Sequence, residues 1–229
     1  MSDVIALVDD DKNILTSVSI ALETEGYVVH TYSDGASALK AILSDPPSLV
    51  VLDIKMPRMN GLEMLAKLRQ KLSVPVIFLT SKSDEDDEII GLEMGADDYI
   101  TKPFSQSLLI TRIKSLLRRQ ATCAVNPDSS EILTCGVLKL NPQSYSVTIN
   151  DKAVNLTVSE FLLLSDLVKN HDIVRSREQL VESAYGNSAY SDARTIDSHI
   201  KRLRKKIREI DDSFDNIETI YGVGYKYQG

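Results

Sequence analysis

Over the first half of the chain, short apolar runs alternate with stretches in which apolar residues recur every three to four positions. Val4-Ile5-Ala6-Leu7-Val8 is an unbroken apolar run, the pattern of a strand buried on both faces. Lys12 to Glu25 places Ile14, Val18, Ala21 and Leu22 at helical spacing, and Gly26 ends it. The alternation continues with strands at Val28 to Tyr32, Leu49 to Leu52, Val74 to Leu79 and Tyr99-Ile100. Helices are predicted at Ala36 to Leu43, Gly61 to Lys71, Glu85 to Met94 and Gln106 to Arg118. Five such repeats within residues 1–118 predict an α/β domain: a five-stranded, doubly wound parallel sheet with helices on both faces.

The periodicity lapses over residues 119–131, whose small and polar side chains and Asn126-Pro127 read as a linker. From residue 132 to 229 the pattern is that of a second, α+β domain. Short strands are predicted at Val137 to Leu140, Tyr145 to Ile149 and Lys152 to Leu156, with turns at Asn141-Pro142 and Asn150-Asp151. Helices follow at Val158–Lys169, Arg177–Ser183 and Arg194–Arg208, the first opened by the capping box Thr157-x-x-Glu160. A hairpin, Ile217 to Tyr221 and Tyr225 to Tyr227, closes the chain.

Composition adds little until charge is resolved along the chain. The 229 residues are 43% hydrophobic and 26% charged, ordinary for a globular protein. No run of about 18 apolar residues is present and no secretory signal is visible. Cys123 and Cys135 lack metal-ligand spacing and read as reduced thiols, which points to a cytoplasmic location without direct membrane insertion. The net charge is −7, yet Arg194 to Arg208 alone carries +6. One cationic segment in an acidic chain points to a localised polyanion site.

In an open α/β sheet, ligands bind beyond the carboxyl ends of the strands. There the first strand runs into Asp9-Asp10-Asp11, the third into Asp53, the fourth into Thr80-Ser81 and the fifth into Thr101-Lys102-Pro103. Asp11 reads as the N-cap of the following helix. Asp9, Asp10 and Asp53 together require a cation, and hard oxygen ligands suit Mg²⁺. A carboxylate beside Mg²⁺ can attack a phosphoryl group, with Lys102 pairing one phosphoryl oxygen and Thr80 donating to another.

Leu7-Val8-Asp9-Asp10-Asp11, Leu52-Asp53-Ile54-Lys55-Met56-Pro57-x-x-Asn60-Gly61, Leu79-Thr80-Ser81 and Gly95-Ala96-Asp97-Asp98-Tyr99-x-x-Lys102-Pro103-Phe104 resemble a two-component response-regulator receiver domain, which is flavodoxin-like. The resemblance implies that Asp53 is the phosphoacceptor. It also implies that Asp9, Asp10, Asp53 and the backbone carbonyl of Lys55 hold Mg²⁺, and that Thr80 and Lys102 bind the phosphoryl group. Tyr99 is then the switch aromatic, which turns inward when Thr80 moves. Receivers of this kind dimerise through the helix at 85–94, the strand at 99–100 and the helix at 106–118. A common cross-dimer ion pair falls here on Ile90 and Leu108, which suggests a hydrophobic contact that includes Met94, with Asp97, Asp98 and Arg112 setting the register.

On the cationic helix, Ile196, Ile200, Leu203 and Ile207 form one apolar stripe. Arg194, Ser198, Lys201, Arg202 and Lys205 lie opposite; Thr195, His199 and Lys206 occupy one flank, Arg204 and Arg208 the other. Such a helix fits the B-DNA major groove, where Arg reads guanine and any cation neutralises phosphate. Leu156-Thr157-x-x-Glu160-Phe161, Val174-x-Ser176-Arg177-Glu178-Gln179-Leu180, Arg194-Thr195-Ile196-Asp197-x-His199-Ile200 and Gly222-x-Gly224-Tyr225 resemble the winged-helix effector domain of the OmpR/PhoB group. Within that group the chain is similar to the ChvI-type regulators of alphaproteobacteria, on stretches such as Asn13 to Val18 and Phe104-Ser105-Gln106.

The resemblance implies DNA contacts by Arg194, Thr195, Ser198, His199, Lys201, Arg202, Arg204, Lys205 and Tyr221; some members carry Arg in place of Tyr221. It further implies a sensor histidine kinase, homodimers on tandem half-sites of double-stranded DNA, and contact with RNA polymerase. The expected function is that of a phosphorylation-activated transcriptional regulator, not an enzyme beyond phosphotransfer to Asp53 and its hydrolysis. Two other readings remain open. One is a Mg²⁺-dependent phosphohydrolase, although no second carboxylate follows Asp53 by two residues. The other is a DNA-binding protein whose first domain is only a scaffold.

Overall fold

A computed structural model describes residues 2–81, 95–125, 132–185 and 193–229. The chain divides into two compact units, Met1–Leu117 and Arg118–Gly229.

In the N-terminal unit the strands β1 (Val4–Val8), β2 (Val28–Tyr32), β3 (Leu49–Asp53), β4 (Val76–Ser81) and β5 (Asp98–Lys102) form one parallel sheet in the order β2-β1-β3-β4-β5. The helices among its described residues are α1 (Lys12–Thr24), α2 (Gly35–Ser44), α3 (Gly61–Arg69) and α4 (Gln106–Val125). Strand alternation divides the core in two. Ile5, Leu7, Leu49, Val51, Ile77 and Leu79 pack against Leu15, Val18 and Leu22 of α1 and Leu109, Ile113 and Leu116 of α4. Ala6, Val8, Val50, Leu52 and Phe78 pack against Ala38 and Ile42 of α2 and Met64, Leu65 and Leu68 of α3. This is the doubly wound arrangement the apolar runs predict. The order reverses at β1, so its carboxyl end and that of β3 flank the crevice where such sheets bind ligands.

One expected helix is not described, and another ends later than the periodicity predicts. The expected helix at 85–94 lies outside the described residues. Helix α4 continues to Val125, past Arg118 and into the stretch read as linker. Arg, Gln and Ala are strong helix formers, and the first breaker is Asn126-Pro127.

The C-terminal unit opens with an antiparallel sheet of β6 (Leu133–Cys135), β7 (Leu138–Asn141), β8 (Ser146–Ile149) and β9 (Lys152–Val154). Three helices follow: α5 (Val158–Lys169), α6 (Arg177–Tyr185) and α7 (Ala193–Arg208). The hairpin β11 (Ile217–Ile220) and β12 (Gly224–Tyr227) pairs with a two-residue strand, β10 (Arg175–Ser176). The predicted stripe Ile196, Ile200, Leu203 and Ile207 is fully buried against Leu163, Leu164, Leu167 and Leu180. At about 1.5–3 kcal/mol per side chain, this stripe is the main anchor of α7. β6 and β10 escape sequence reading because three and two residues are too few to show a period.

Candidate functional site

The parallel register Val8↔Leu52 places Asp9, one step past the end of β1, beside Asp53, the last residue of β3. Both are buried, at 0% and 5% exposure, whereas Asp10 faces out. Oxygens of Asp9, Asp10 and Asp53 lie within 4.8 Å of one another. The Lys102 ammonium, at the end of β5, bridges two of them at 2.8 Å from Asp9 Oδ2 and 2.9 Å from Asp53 Oδ1. The Asp11 backbone N–H donates to Asp9 Oδ1 at 2.9 Å, and Asp11 caps α1 by accepting from the Asn13 N–H. Beyond Asp53 the loop folds back so that the Gly61 N–H donates to the Ile54 carbonyl at 2.8 Å. A Cβ at position 61 would overlap the Asp53 carbonyl, so only glycine fits there.

Burial pushes the Asp53 carboxyl up to about 6; the hydrogen bond and charge of Lys102 oppose this, while Asp9 and Asp10 add to it. Burial works against the Lys102 charge, but its bonds to Asp9 and Asp53 outweigh burial and raise its pKa. The donor set, three carboxylates with one ammonium between two of them, is all hard oxygen with unbalanced negative charge, which fits a Mg²⁺ ion.

Thr80 is buried at the end of β4 beside Thr101 of β5. Tyr99 is half-buried and packs on the α2–α3 side of the sheet. Lys55 is exposed in the loop after β3.

Of the residues expected at a dimer face, the described ones are engaged within their own unit. Asp97 is fully buried, and its carboxylate accepts from the Val76 N–H at 3.0 Å and from Arg69 at 3.1 Å. It satisfies a backbone donor where β4 begins and is not available to a second chain. Asp98 and Arg112 are 2% and 4% exposed and pair with each other at 3.3 Å. Leu108 is half-buried against Leu109 and its neighbours. Ile90 and Met94 lie outside the described residues.

On α7 the burial pattern divides the basic residues. Lys201 and Lys205 are exposed and Ser198 is half-exposed, while the side chain of Arg194 lies outside those described. With Asp197, Arg204, Arg208 and Glu209, the two lysines line an open groove along the helix. Thr195, His199 and Arg202, expected to meet DNA, are instead interior, at 1%, 0% and 7% exposure. They lie on the flank that faces α5 and α6. There the fully buried Glu160 accepts from Arg202 Nε and Lys206 Nζ, each at 2.7 Å. His199 bonds Arg202 through Nδ1 and the Tyr185 hydroxyl through Nε2. Burial opposes ionisation of Glu160, but the Arg202 and Lys206 charges overcome it and hold the carboxyl down at about 2.

Arg204 is half-buried and reaches the hairpin, donating to the Ile217 carbonyl at 3.1 Å and to Thr219 Oγ1 at 2.9 Å. Tyr221 is 92% exposed at the hairpin tip.

Sequence reading missed Glu160 as a hub. It also missed the Asp197 carboxylate, which Arg177 and the Tyr225 hydroxyl both reach at 2.8 Å. The signal for the hub was present: Thr195, His199, Arg202 and Lys206 recur at helical spacing along one flank of the apolar stripe.

A buried, neutralisable carboxylate pocket on one unit and a helix with a cationic outer face on the other define a signal-receiving DNA-binding protein. Residues 5–114 match the response regulator receiver domain family, and residues 151–227 match the family of the C-terminal domain of transcriptional regulatory proteins. The chain is 39% identical to the Bacillus subtilis transcriptional regulatory protein YclJ, over 97% of this chain and 98% of that one. It is 35% identical to the Staphylococcus aureus transcriptional regulatory protein SrrA, over 100% and 96%. Among solved structures it resembles the Thermotoga maritima OmpR/PhoB homologue DrrB, at 34% identity and TM-score 0.50 with both chains fully covered. A mutant of RitR gives TM-score 0.81 at 25% identity over 99% of each chain.

The chain belongs to the OmpR/PhoB-type response regulators. It is a phosphorylation-dependent, DNA-binding transcriptional regulator, and its receiver domain implies a cognate histidine kinase. Among the described residues no helix is long and apolar enough to cross a membrane.

Proposed function

We propose that Asp53 is the phosphoacceptor and that its oxygen attacks the phosphohistidine of the kinase. The P–N bond breaks, its electron pair stays on the imidazole, and an acyl phosphate forms on Asp53. Lys102 then exchanges its bond to Asp53 for a phosphoryl oxygen, and the Thr80 hydroxyl donates to another. Thr80 movement frees space into which Tyr99 turns. Asp9, Asp10, Asp53 and the Lys55 carbonyl would hold Mg²⁺, which when bound offsets the phosphoryl charge. Hydrolysis of phospho-Asp53 returns the switch.

In this reading the receiver (1–118) and the effector (132–229) communicate across 119–131. The protein works in the cytoplasm as a homodimer on tandem half-sites, contacts RNA polymerase, and falls in the ChvI-type subgroup. Arg194, Ser198, Lys201, Lys205 and the wing carry the DNA contact.

The observation that supports this reading most is the Lys102 ammonium shared between Asp9 and Asp53 beside a third carboxylate. Intact-mass analysis after treatment with acetyl phosphate and Mg²⁺ tests it. One phosphoryl adduct is expected on the parent, and none on Asp53→Ala or when Mg²⁺ is chelated. An adduct of equal yield on the Ala variant would overturn the assignment; phosphate release without an adduct would favour a phosphohydrolase.

A further inference from the structure

We propose that Arg58 steers anionic phosphoryl donors toward Asp53: it is a cation held at the rim of an acidic crevice, at a cost in backbone strain. This rests on the phosphoacceptor reading above and adds a residue that acts on the rate of uptake, not on the bond that forms.

The loop from Asp53 to α3 is pinned on both sides of Arg58. Met56 is buried, and Gly61 lies against the Asp53 carbonyl. The Met59 carbonyl lies against Gly35, the first residue of α2, where a Cβ would come within 2.9 Å of it. Between these anchors the chain reverses in a three-residue turn. The Met59 N–H donates to the Pro57 carbonyl at 2.9 Å, and Arg58 at the centre takes a φ of 70°. A three-residue turn with positive φ at its centre is the rare and strained form. Glycine or asparagine would adopt that φ at less cost than arginine.

Such strain persists where something compensates it. Among the described residues nothing does: Arg58 is exposed, and no hydrogen bond or ion pair holds its guanidinium. Its charge nonetheless acts at the carboxyl edge of the sheet. The Asp34 carboxyl, which caps α2 there, is held below its usual range mainly by bonds from Ser37 and in smaller part by the Arg58 charge.

That edge is acidic. Asp10 and Asp11 are exposed beside the buried Asp9 and Asp53. A phosphoryl donor is an anion and approaches against this field. Lys102 is already engaged by Asp9 and Asp53, so it offers little to a donor still at a distance. A cation on a pinned loop offsets the repulsion without filling the pocket, and fields of this kind raise encounter rates.

The rate at which the full chain gains one phosphoryl adduct in acetyl phosphate and Mg²⁺, followed by intact mass, tests this. In that reaction the Asp53 oxygen attacks phosphorus, the P–O bond to the acyl group breaks, and acetate leaves. Arg58→Gln removes the charge and keeps a side chain of similar length. It should slow uptake about twofold relative to the parent at low ionic strength, and not at all at about 1 M salt, where the Debye length is about 3 Å. Arg58→Lys should keep the parent rate, and Arg58→Glu should slow uptake about fivefold at low ionic strength. Arg58→Gly should slow uptake as Gln does while raising the urea midpoint, which separates charge from strain. Lys71 is exposed just past the end of α3, at the opposite edge of the sheet. Lys71→Gln makes the same change in net charge and should match the parent.

Equal rates for Arg58→Gln and the parent at low ionic strength overturn the proposal, as does equal slowing by Lys71→Gln. Slowing that persists in high salt means direct contact with the donor and overturns steering. A phosphohistidine peptide should respond in the same direction as acetyl phosphate; slowing with the peptide alone would mean that Arg58 touches the peptide, which also overturns steering. A lowered urea midpoint for Arg58→Gly overturns the account of strain. If the parent gains no adduct at all, the phosphoacceptor reading falls, and the role of Arg58 falls with it.

Discussion

At the sheet edge of the N-terminal unit, two of three clustered carboxylates share one ammonium. Beneath α7, one carboxylate is held by a guanidinium and an ammonium. The groups are of the same kind and both carboxylates at the centre are buried, yet Asp53 is pushed up to about 6 and Glu160 is held down at about 2. Burial raises both; the balance of neighbours decides the sign. Under-neutralised, Asp53 sits in a pocket that has room for more positive charge, which is what a phosphoryl group with its metal brings. Over-neutralised, and accepting also from the Thr157 N–H, Glu160 has both oxygens engaged and is fit for holding helices together. The contrast separates a carboxylate with room for a cation from one that holds helices together, without reference to sequence position.

The largest expected effect breaks this contrast directly. Glu160→Gln leaves Arg202 and Lys206 facing each other without a counter-charge and should destabilise the C-terminal unit by about 3 kcal/mol. Asp53→Asn relieves repulsion with Asp9 and Asp10 and should leave the N-terminal unit as stable as the parent or slightly more so. Urea denaturation of the full chain, followed by hydrogen exchange resolved on residues 158–208 and 4–53, separates the two. Destabilisation of both units by similar amounts would show that the two clusters do the same job.

A second expectation concerns pH, and the signs oppose. The folded state lowers the Glu160 pKa from 4.5 to about 2, so its stabilisation is fully present above about 4.5 and is lost as pH falls toward 2. The folded state raises the Asp53 pKa from 3.8 to about 6, so the native state binds more protons and stability of the N-terminal unit falls as pH rises through that window. In chelator-containing buffer, hydrogen exchange should show the receiver losing protection between these values in the parent but not in Asp53→Asn. The C-terminal unit should keep its protection there. A receiver whose protection rises over that window would contradict the burial-dominated account of Asp53.

Much of this was legible in the sequence, for identifiable reasons. Strands buried on both faces show as apolar runs, and the site residues lie at their ends, so Asp9, Asp53, Thr80 and Lys102 follow from strand position alone. The buried stripe of α7 follows from helical spacing. What spacing leaves undetermined is how wide the buried face is. Thr195, His199 and Arg202 are polar, so a helical wheel assigns them outward, but a buried Glu160 on α5 needs cations and draws that flank inside. Asp97, Asp98 and Arg112 make the same point: each has a partner within its own chain, and polarity alone does not distinguish an internal partner from an external one.

The smallest expected effect tests whether neighbouring charge, and not burial alone, sets the state of Asp53. Asp10 is exposed and makes the weakest of the five contributions to the Asp53 pKa, after burial, the two effects of Lys102, and Asp9. Asp10→Asn removes that charge and leaves Asp53 equally buried. The Asp53 midpoint, followed by carboxyl-carbon NMR, should move down slightly, because one like charge no longer disfavours ionisation. The same substitution should weaken Mg²⁺ binding, since it takes one anionic oxygen donor from a cluster of three. The two readouts move for different reasons: the midpoint responds to field, the ion to a lost ligand. A midpoint that stays put while Mg²⁺ binding falls would mean that solvent screens Asp10 from Asp53 entirely. A midpoint that moves up would mean that Asp10 had been stabilising the ionised form, and the account of the pocket as an under-neutralised cluster would then be wrong.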